Sequence, residues 1–275
     1  MPNEITDRPT SRTPPKAVRE TLRKEVNFGC PIADCGVPYL TWHHFDPPWR
    51  ETHHHNPAGM IALCQSHAGL ADGDRWTADQ LREMKRNPFV KEQNINAIYD
   101  YLRKDAVFQF GNVAYNVPNI LMIESFPVIF FRKGADGFDR LNLYIIDRNY
   151  NPLLVMEDNL WTAFQSNLFD LSCSTRGRDL KIWSDDGETS FSLSFKNISN
   201  SKFRSLISGN PGADKLLQEM NNPDSIPMWS VKGSLAWGQV KMEITDSQVT
   251  LTTPMTNVFS RNLVSNSQTC FQVGA

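Results

Sequence analysis

The hydrophobic positions follow a helical period in the first part of the chain and a strand period in the rest. Before about residue 108, the pattern predicts a short helix after Pro15 and a second helix that begins at Thr77, with Gln80 as the reciprocal partner of its cap. Apolar residues also recur at helical spacing over residues 95–105 and predict a connecting helix there. The first part is therefore expected to contain several short helices.

From Phe110 onward, apolar and polar residues alternate, which is typical of strands with one buried face. Clusters of Asp, Asn, Gly and Pro separate these runs, as expected of turns. We therefore predict an all-β part, either a sandwich or a short solenoid, with one short helix over residues 214–220. The predicted strands lie within residues 126–131, 141–146, 153–156, 180–183, 191–195 and 234–252.

These patterns divide the chain into a disordered lead over residues 1–13, a module with flanking helices over 14–108, and an all-β domain over 109–275. A chain of 275 residues with 40% hydrophobic content can build two modest cores. The β domain carries no recognisable catalytic motif, so we expect it to serve recognition or to form a homo-oligomer through its strand edges. Its tryptophans are expected to be core or interface anchors: Trp161, Trp183, Trp229 and Trp237.

The formal charge of −2 excludes a strongly basic nucleic-acid coat, so a DNA-binding surface must be a local patch. The basic residues before Cys30 are the candidates for such a patch, and a solvated helix explains them equally well. They are Arg8, Arg12, Lys16, Arg19, Arg23 and Lys24.

The sequence contains no run of 18 apolar residues and its N-terminus is polar, so we expect neither a membrane span nor a secretory signal. The cysteine usage fits a reducing cytoplasm better than a disulfide framework. Cys173 and Cys270 are isolated in the sequence and are expected to be small buried hydrophobes.

All six histidines and three of the five cysteines fall within the 38 residues from Cys30 to His67. Cys30 and Cys35 lie in a tight segment flanked by Gly and Pro. Cys64 and His67 lie at the start of a predicted helix, where one turn places them on the same side. Three thiolates and one imidazole form a standard tetrahedral zinc shell, so we predict a structural zinc ion. The alternative is a set of buried thiols beside a surface run of histidines.

The residues between these ligand pairs resemble the HNH endonuclease family, in the version whose ββα-metal module is held by a zinc knuckle. The resemblance covers residues 28–86 and rests on the knuckle, the His-His pair at 43–44, the His-Asn-Pro run at 55–57 and Ile-Ala-Leu-Cys at 61–64. It implies an α+β chain in which a zinc-stapled ββα module precedes the all-β domain. It also implies metal-dependent hydrolysis of DNA phosphodiester bonds, with Mg²⁺ or Mn²⁺ as the catalytic ion.

The resemblance assigns roles position by position. His44 would be the general base that deprotonates a water molecule, and His43 would be a ligand of the divalent catalytic ion. A neutral imidazole can do either at cellular pH. His55 and Asn56 are predicted to support the site. The alternative is that His43 and His44 are ordinary hairpin residues whose ring nitrogens bond to the backbone.

Two positions depart from the family's pattern. The family's asparagine falls at Gly59, and the helix ligand that usually follows the last zinc ligand is Ala68 here. Asp72 lies one turn after Ala68 on the same helix face and is predicted to complete the metal shell with His43. Asp72 is otherwise an ordinary solvated residue. The active site is thus either shifted, or the module is a catalytically silent binder of DNA or protein. A third interpretation is an assembly protein whose β domain is the functional part.

Overall fold

The computed structural model describes residues 11–90, 94–104, 107–208, 213–221, 223–253, 257–260, 263–265 and 267–273. In this part of the chain strands predominate and helices are few, so the fold is mixed α+β, as predicted. Most of the predicted lead, with the candidate Arg8, lies outside the described residues. None of the helices described is long and apolar enough to cross a membrane.

The chain divides into two compact units. The N-terminal unit runs to Ile95 and also contains Asp170–Arg176, whereas the β unit consists of Asn96–Phe169 and Gly177–Ala275. The predicted domain boundary near residue 108 concerns independent folding and stays a prediction.

The N-terminal unit is built on one hairpin with helices packed against it. Its elements are α1 (Lys16–Glu25), β1 (Leu40–His44), a 3-10 turn (Pro57–Gly59), β2 (Met60–Cys64), α2 (Gln65–Asp72) and α3 (Ala78–Arg86). β1 and β2 pair antiparallel, with Leu40 opposite Cys64 and His44 opposite Met60. The hairpin thus places a cysteine at one end and a histidine at the other.

All five residues of β2 are buried, because α1 and α3 both pack against this strand. Leu22 on the apolar face of α1 and Leu81 on α3 are buried, as are Ile61 and Leu63 of β2. Each such side chain stabilises the fold by roughly 1.5–3 kcal/mol when it is removed from water. The hairpin is therefore a fixed support for the side chains at its two ends.

The predicted start of α3 is confirmed. The Thr77 hydroxyl accepts a hydrogen bond from the Gln80 N–H, and the Gln80 side chain accepts one from the Thr77 N–H. This reciprocal pair satisfies two donors that the first turn of a helix leaves unpaired.

The predicted helix over residues 95–105 is wrong, because β3 (Ile95–Ile98) is a strand. Ile95 is buried while Ile98 is 57% exposed, so the two residues lie on opposite faces. The Tyr99 N–H then donates to the Asn159 carbonyl, which continues extended pairing. Ile95 and Tyr99, which are four residues apart and both buried, fit either period, and tertiary pairing decides between them.

The β unit is composed mainly of strands, with short helices among its described residues. Its strands are β4 (Val107–Phe110), β5 (Asn112–Tyr115), β6 (Asn119–Ile123), β7 (Phe126–Lys133), β8 (Asp139–Ile146), β9 (Pro152–Glu157), β10 (Leu160–Ala163), β11 (Leu168–Cys173, which enters the N-terminal unit at Asp170), β12 (Asp179–Ser184), β13 (Ser190–Ser199), β14 (Ser225–Trp237), β15 (Val240–Ile244), β16 (Val249–Thr252), β17 (Asn257–Ser260), β18 (Leu263–Ser265) and β19 (Thr269–Val273). The helices are α4 (Asn200–Leu206) and α5 (Ala213–Glu219).

Most neighbouring strands follow chain order. The strands β6 to β10 form one meander and β12 to β17 form another, while β4 pairs in parallel with β14 and β19 in parallel with β6. The runs predicted as strands are strands, and the predicted short helix corresponds to α5. The choice between a sandwich and a solenoid stays a prediction.

Two of the four tryptophans are anchors of the β unit's core, as predicted. Trp161 and Trp229 are buried, and the Trp229 ring contacts Phe131 and Phe195 at centroid distances of 5.6 and 5.1 Å. Trp237 is only half-buried. It is therefore available for contacts other than those of the core.

Candidate functional site

The predicted zinc ligands come together. Cys30 and Cys35 lie in the loop after α1, Cys64 ends β2, and His67 lies in the first turn of α2. Their four ligand atoms all lie within 4.8 Å of one another, and this is the one such group found among the described residues. The loop is tight because the Cys30 N–H donates to the Val37 carbonyl. The Cys3His cluster can therefore hold a metal ion.

The distances within this cluster fit a tetrahedral ion. The sulfurs of Cys35 and Cys64 are 3.8 Å apart, and His67 Nδ1 lies 3.3 Å from the sulfurs of Cys30 and Cys64. Zinc–sulfur bonds of about 2.3 Å in a tetrahedron give sulfur–sulfur edges of about 3.8 Å. Burial raises the pKa of the Cys30 and Cys35 thiols. A bound cation reverses this effect, since it stabilises thiolates.

A second site lies at the His44 end of the hairpin, opposite the end that carries Cys64. His43, His44 and Asp72 line one cavity of about 450 Å³, together with Arg12 and Trp49. None of the four Cys3His ligands lines it. We call this cavity the histidine hollow. The three residues predicted for catalysis thus converge in a polar space that is separate from the cluster.

His43 contacts Asp72 across the hollow. Its Nδ1 lies 3.1 Å from an Asp72 carboxylate oxygen, and the same oxygen lies 3.3 Å from the Arg12 guanidinium. Burial lowers the pKa of His43, and the nearby Asp72 carboxylate opposes this effect. His43 is therefore held mostly neutral beside a carboxylate, which is the state that a metal ligand requires.

His44 is 2% exposed, and both of its ring nitrogens are buried without a hydrogen-bond partner among the described residues. Burial, followed by the neighbouring His54 and His55, lowers the pKa of His44 to about 4. Its ring packs against Trp49 at a centroid distance of 4.8 Å. Buried polar atoms in native structures nearly always have partners, so these nitrogens mark a place for an external ligand or water.

The three histidines of the run His53–His55 lie beside His44, and each makes different contacts. His54 donates from Nε2 to the Pro47 carbonyl at 2.8 Å and accepts at Nδ1 from the Asn56 N–H at 3.1 Å, so both of its nitrogens are used. His55 Nδ1 is buried without a described partner. His53 is exposed and stacks on Trp49 at 4.4 Å. Within the described part of the chain, both nitrogens of His44 and the Nδ1 of His55 are therefore the buried ring atoms beside this run that have no hydrogen-bond partner.

Asn56 has a structural role in the described contacts. Its side-chain oxygen accepts from the Ala58 N–H at 3.1 Å and caps the 3-10 turn. Gly59, where the family has its asparagine, leaves no room for a side chain, because a Cβ there would lie 1.8 Å from the Asp46 carbonyl oxygen. The asparagine of the family's pattern is thus excluded by close backbone packing.

Ala68 faces the same region as Asp72. It is buried on α2, and it lines a neighbouring hollow of about 450 Å³ with Asp72, His43 and Arg12. Ala68 does not itself line the histidine hollow.

Arg23 is not available as a DNA contact. Its guanidinium is buried and forms two hydrogen bonds with the Asp170 carboxylate, at 2.9 and 2.5 Å, within the N-terminal unit. Nothing in the sequence pattern links these two residues. Arg12 and Trp49 also line the hollow. The sequence predicts Arg12 as a DNA contact and assigns no role to Trp49, whose one signal is its position beside the histidines.

No protein-family model, no curated protein and no solved structure matches the chain.

Proposed function

We propose that the N-terminal unit is a metal-dependent endonuclease that hydrolyses DNA phosphodiester bonds in the histidine hollow, as in HNH enzymes. The observation that carries the proposal is the convergence of His43, His44 and Asp72 in one polar cavity apart from the Cys3His cluster. Separation matters because a structural ion has no open coordination position, whereas catalysis needs one.

The Cys3His cluster holds a structural zinc ion in this proposal. Three thiolates and one imidazole suit zinc, and the distances match its tetrahedral shell. The ion fixes the loop of Cys30 to the junction of β2 and α2. That junction sets the start of the helix that carries Asp72.

His44 is the general base. Its buried ring is neutral at cellular pH and has two free nitrogens, so it can accept a proton from a water molecule. The resulting hydroxide forms a bond to phosphorus while the bond from phosphorus to the 3′ oxygen breaks. A pKa near 4 is low for a base, and the negative charge of a bound phosphodiester raises it toward the optimum.

His43 and Asp72 are the protein ligands for Mg²⁺ or Mn²⁺. When bound, the ion neutralises charge on the scissile phosphate and on the leaving oxygen. Two protein ligands suffice for such an ion, because it usually retains waters and binds substrate phosphate. Arg12, which pairs with Asp72 in the structure, is released from the carboxylate to contact the phosphate.

A plasmid-cleavage assay with Mg²⁺, Mn²⁺ and Ni²⁺ tests this proposal. His44→Ala should remove most of the activity while the protein keeps its zinc. His53→Ala is the matched control, since it removes an exposed imidazole of the same run that does not itself line the hollow; its only described ring contact is with Trp49, so its activity should fall far less than that of His44→Ala. Equal cleavage by His44→Ala and the wild type would mean a contaminant or a different site.

The ligand assignments have their own test. His43→Ala and Asp72→Ala should weaken cleavage in a way that added Mn²⁺ or Mg²⁺ partly restores, because both remove a ligand and leave the base. Ala68→His should raise the rate by supplying the helix ligand of the family's pattern. If added metal ion rescues neither ligand variant, the two residues do not hold the ion.

The second candidate is a catalytically silent zinc module that binds DNA or protein. The ion pair between Arg12 and Asp72 favours it, because a guanidinium occupies the carboxylate that the catalytic ion needs. DNA binding without cleavage under any of the three metal ions would place this candidate first.

In either case we propose that the β unit serves recognition or self-association and that the protein acts in the cytoplasm. If the isolated β unit binds the same partners as the full chain, the protein has an assembly role, and neither the endonuclease nor the silent-module proposal holds.

A further inference from the structure

The β unit contains a cavity of about 380 Å³ that the proposed cleavage does not use. It lies where β6, β7 and β8 meet the end of β14, and its floor is aliphatic. Four aromatic side chains form much of its wall: Phe126, Tyr144, Tyr150 and Trp237. A cavity of this size and lining suits a small organic molecule.

Two of the aromatic rings at the cavity's mouth are largely exposed to solvent and not buried in the core. Phe126 is 55% exposed and Tyr150 is 64% exposed. The rings of Phe126 and Tyr144 lie 5.4 Å apart between centroids, tilted by 54°. Their faces can therefore contact a ligand that enters from solvent.

Two residues at the mouth adopt a backbone conformation that is unfavourable for residues other than Gly and Asn. Tyr150 has φ +66° and Glu124 has φ +53°, in the left-handed region where Gly and Asn are preferred. The turn at Tyr150 is held by the Asp147 carboxylate, which accepts from the N–H groups of Asn149 and Asn151 at 2.8 Å each. The Tyr150 ring lies against Gly238 with most of its surface exposed. Residues with such a strained backbone cluster at ligand clamps, so the strain points to binding.

The charged residue that lines the cavity is acidic. Glu124 is its one charged lining residue, and no Lys or Arg is among the residues that line it in the described part of the chain. The Glu124 carboxylate forms no hydrogen bond or ion pair with any described residue. Aromatic faces carry partial negative charge and attract cations within about 6 Å of the ring. The wall and the carboxylate therefore favour a positive ligand.

We propose that this cavity binds a small organic cation with an apolar body, of the quaternary ammonium class. Trp237, Tyr144, Tyr150 and Phe126 surround the methylated cation, and Glu124 balances its charge. The site is independent of the histidine hollow, so it stands whether or not the N-terminal unit cleaves DNA.

Calorimetric titration of the full chain tests the ligand class with two probes of the same shape. Choline carries a quaternary nitrogen, and 3,3-dimethylbutan-1-ol has a neutral carbon in its place. We expect choline to bind at least about tenfold more tightly than the neutral probe. Glu124→Gln should remove most of this preference, while Glu219→Gln, which removes the same charge on α5, should leave it intact. Equal affinity for the two probes, or no binding of choline, overturns the proposal.

Tyr150→Asn separates binding from folding. Asparagine tolerates the left-handed conformation, so the thermal midpoint of the β unit should rise while choline binding weakens about tenfold. Unchanged binding overturns the role of Tyr150 as a clamp. Loss of both stability and binding would make it a structural residue and would overturn the role equally.

Discussion

The two units differ in the kind of buried polar atom that has no hydrogen-bond partner among the described residues. In the β unit these atoms belong to ordinary core side chains, among them the indole N–H groups of Trp161 and Trp229, while the buried Asp147 carboxylate accepts from two backbone N–H groups. In the N-terminal unit they include both ring nitrogens of His44, and the Cys30 thiol is buried beside two other cysteines. An imidazole nitrogen or a thiolate can bind a metal ion or accept a proton, whereas an indole N–H can do neither. The unpartnered atoms of the N-terminal unit therefore indicate where an ion, water or substrate belongs.

The largest expected effect of this difference concerns the metal ion. Cys64→Ser should lose about one equivalent of zinc and unfold the N-terminal unit, because binding of a structural zinc contributes about 10–16 kcal/mol to such modules. The β unit should stay folded. Metal analysis together with hydrogen–deuterium exchange by mass spectrometry reports both results. Cys270→Ser is the control and should retain the metal. Absence of zinc from wild-type protein purified without chelator would remove the basis of the comparison.

The second test asks whether the β unit holds itself together. Fragments 96–275 and 109–275 should both show a β-type circular dichroism spectrum, but the shorter one lacks Tyr99, Val107 and Phe108, which are buried. Each lost side chain removes roughly 1.5–3 kcal/mol, so its denaturation midpoint should be clearly lower. A break at residue 108 also divides β4. If neither fragment is soluble without the N-terminal unit, the protein is one cooperative unit.

A third test concerns the buried ion pair in the N-terminal unit. Asp170→Ala leaves the Arg23 guanidinium buried without its carboxylate and should destabilise the N-terminal unit by about 3–5 kcal/mol. Replacing both residues, Arg23→Met with Asp170→Leu, should cost much less, since no charge is then left unpaired. Urea denaturation followed by tryptophan fluorescence measures both. A double variant as unstable as the single one would show that packing, not charge, causes the loss.

The smallest expected effect is a dependence on pH. His44 has a pKa of about 4 in the folded state against an ordinary value of 6.5, mainly because of burial. Between these values the unfolded chain binds a proton that the folded chain does not, so stability rises with pH over this range and is fully present above it. The drop in urea midpoint from pH 7 to pH 5 should therefore be smaller in His44→Gln than in the wild type. Zinc content at both pH values is the control. Equal drops would show that His44 does not cause the dependence.

The sequence predicts local features better than distant ones. The cap of α3 and the pairing of ligands in the Cys3His cluster follow from short spacings in the sequence, because residues three to five positions apart are brought together by a single turn of the backbone. The strands of the β unit follow from their period of two. The prediction of a helix at β3 is wrong because a spacing of four, as between the buried Ile95 and Tyr99, fits both periods.

Other features have no local signal. The pairing of Arg23 with Asp170 joins residues 147 positions apart and depends on how a segment of β11 is drawn into the N-terminal unit. The exclusion of a side chain at Gly59 depends on the approach of the Asp46 carbonyl, which only coordinates reveal. Neither result follows from composition, period or motif.

The distance in sequence between Arg23 and Asp170 also sets an order of events during synthesis. A ribosome adds about 5–20 residues per second, so roughly 7–30 s separate the appearance of the guanidinium from that of its carboxylate. Through that interval, closing the N-terminal unit would bury the Arg23 charge without its carboxylate, which is unfavourable. We expect the unit to remain open to proteases and chaperones until residue 170 has left the exit tunnel, even when zinc is plentiful. We therefore expect the speed of translation across the first strands of the β unit to determine how long the N-terminal unit stays open.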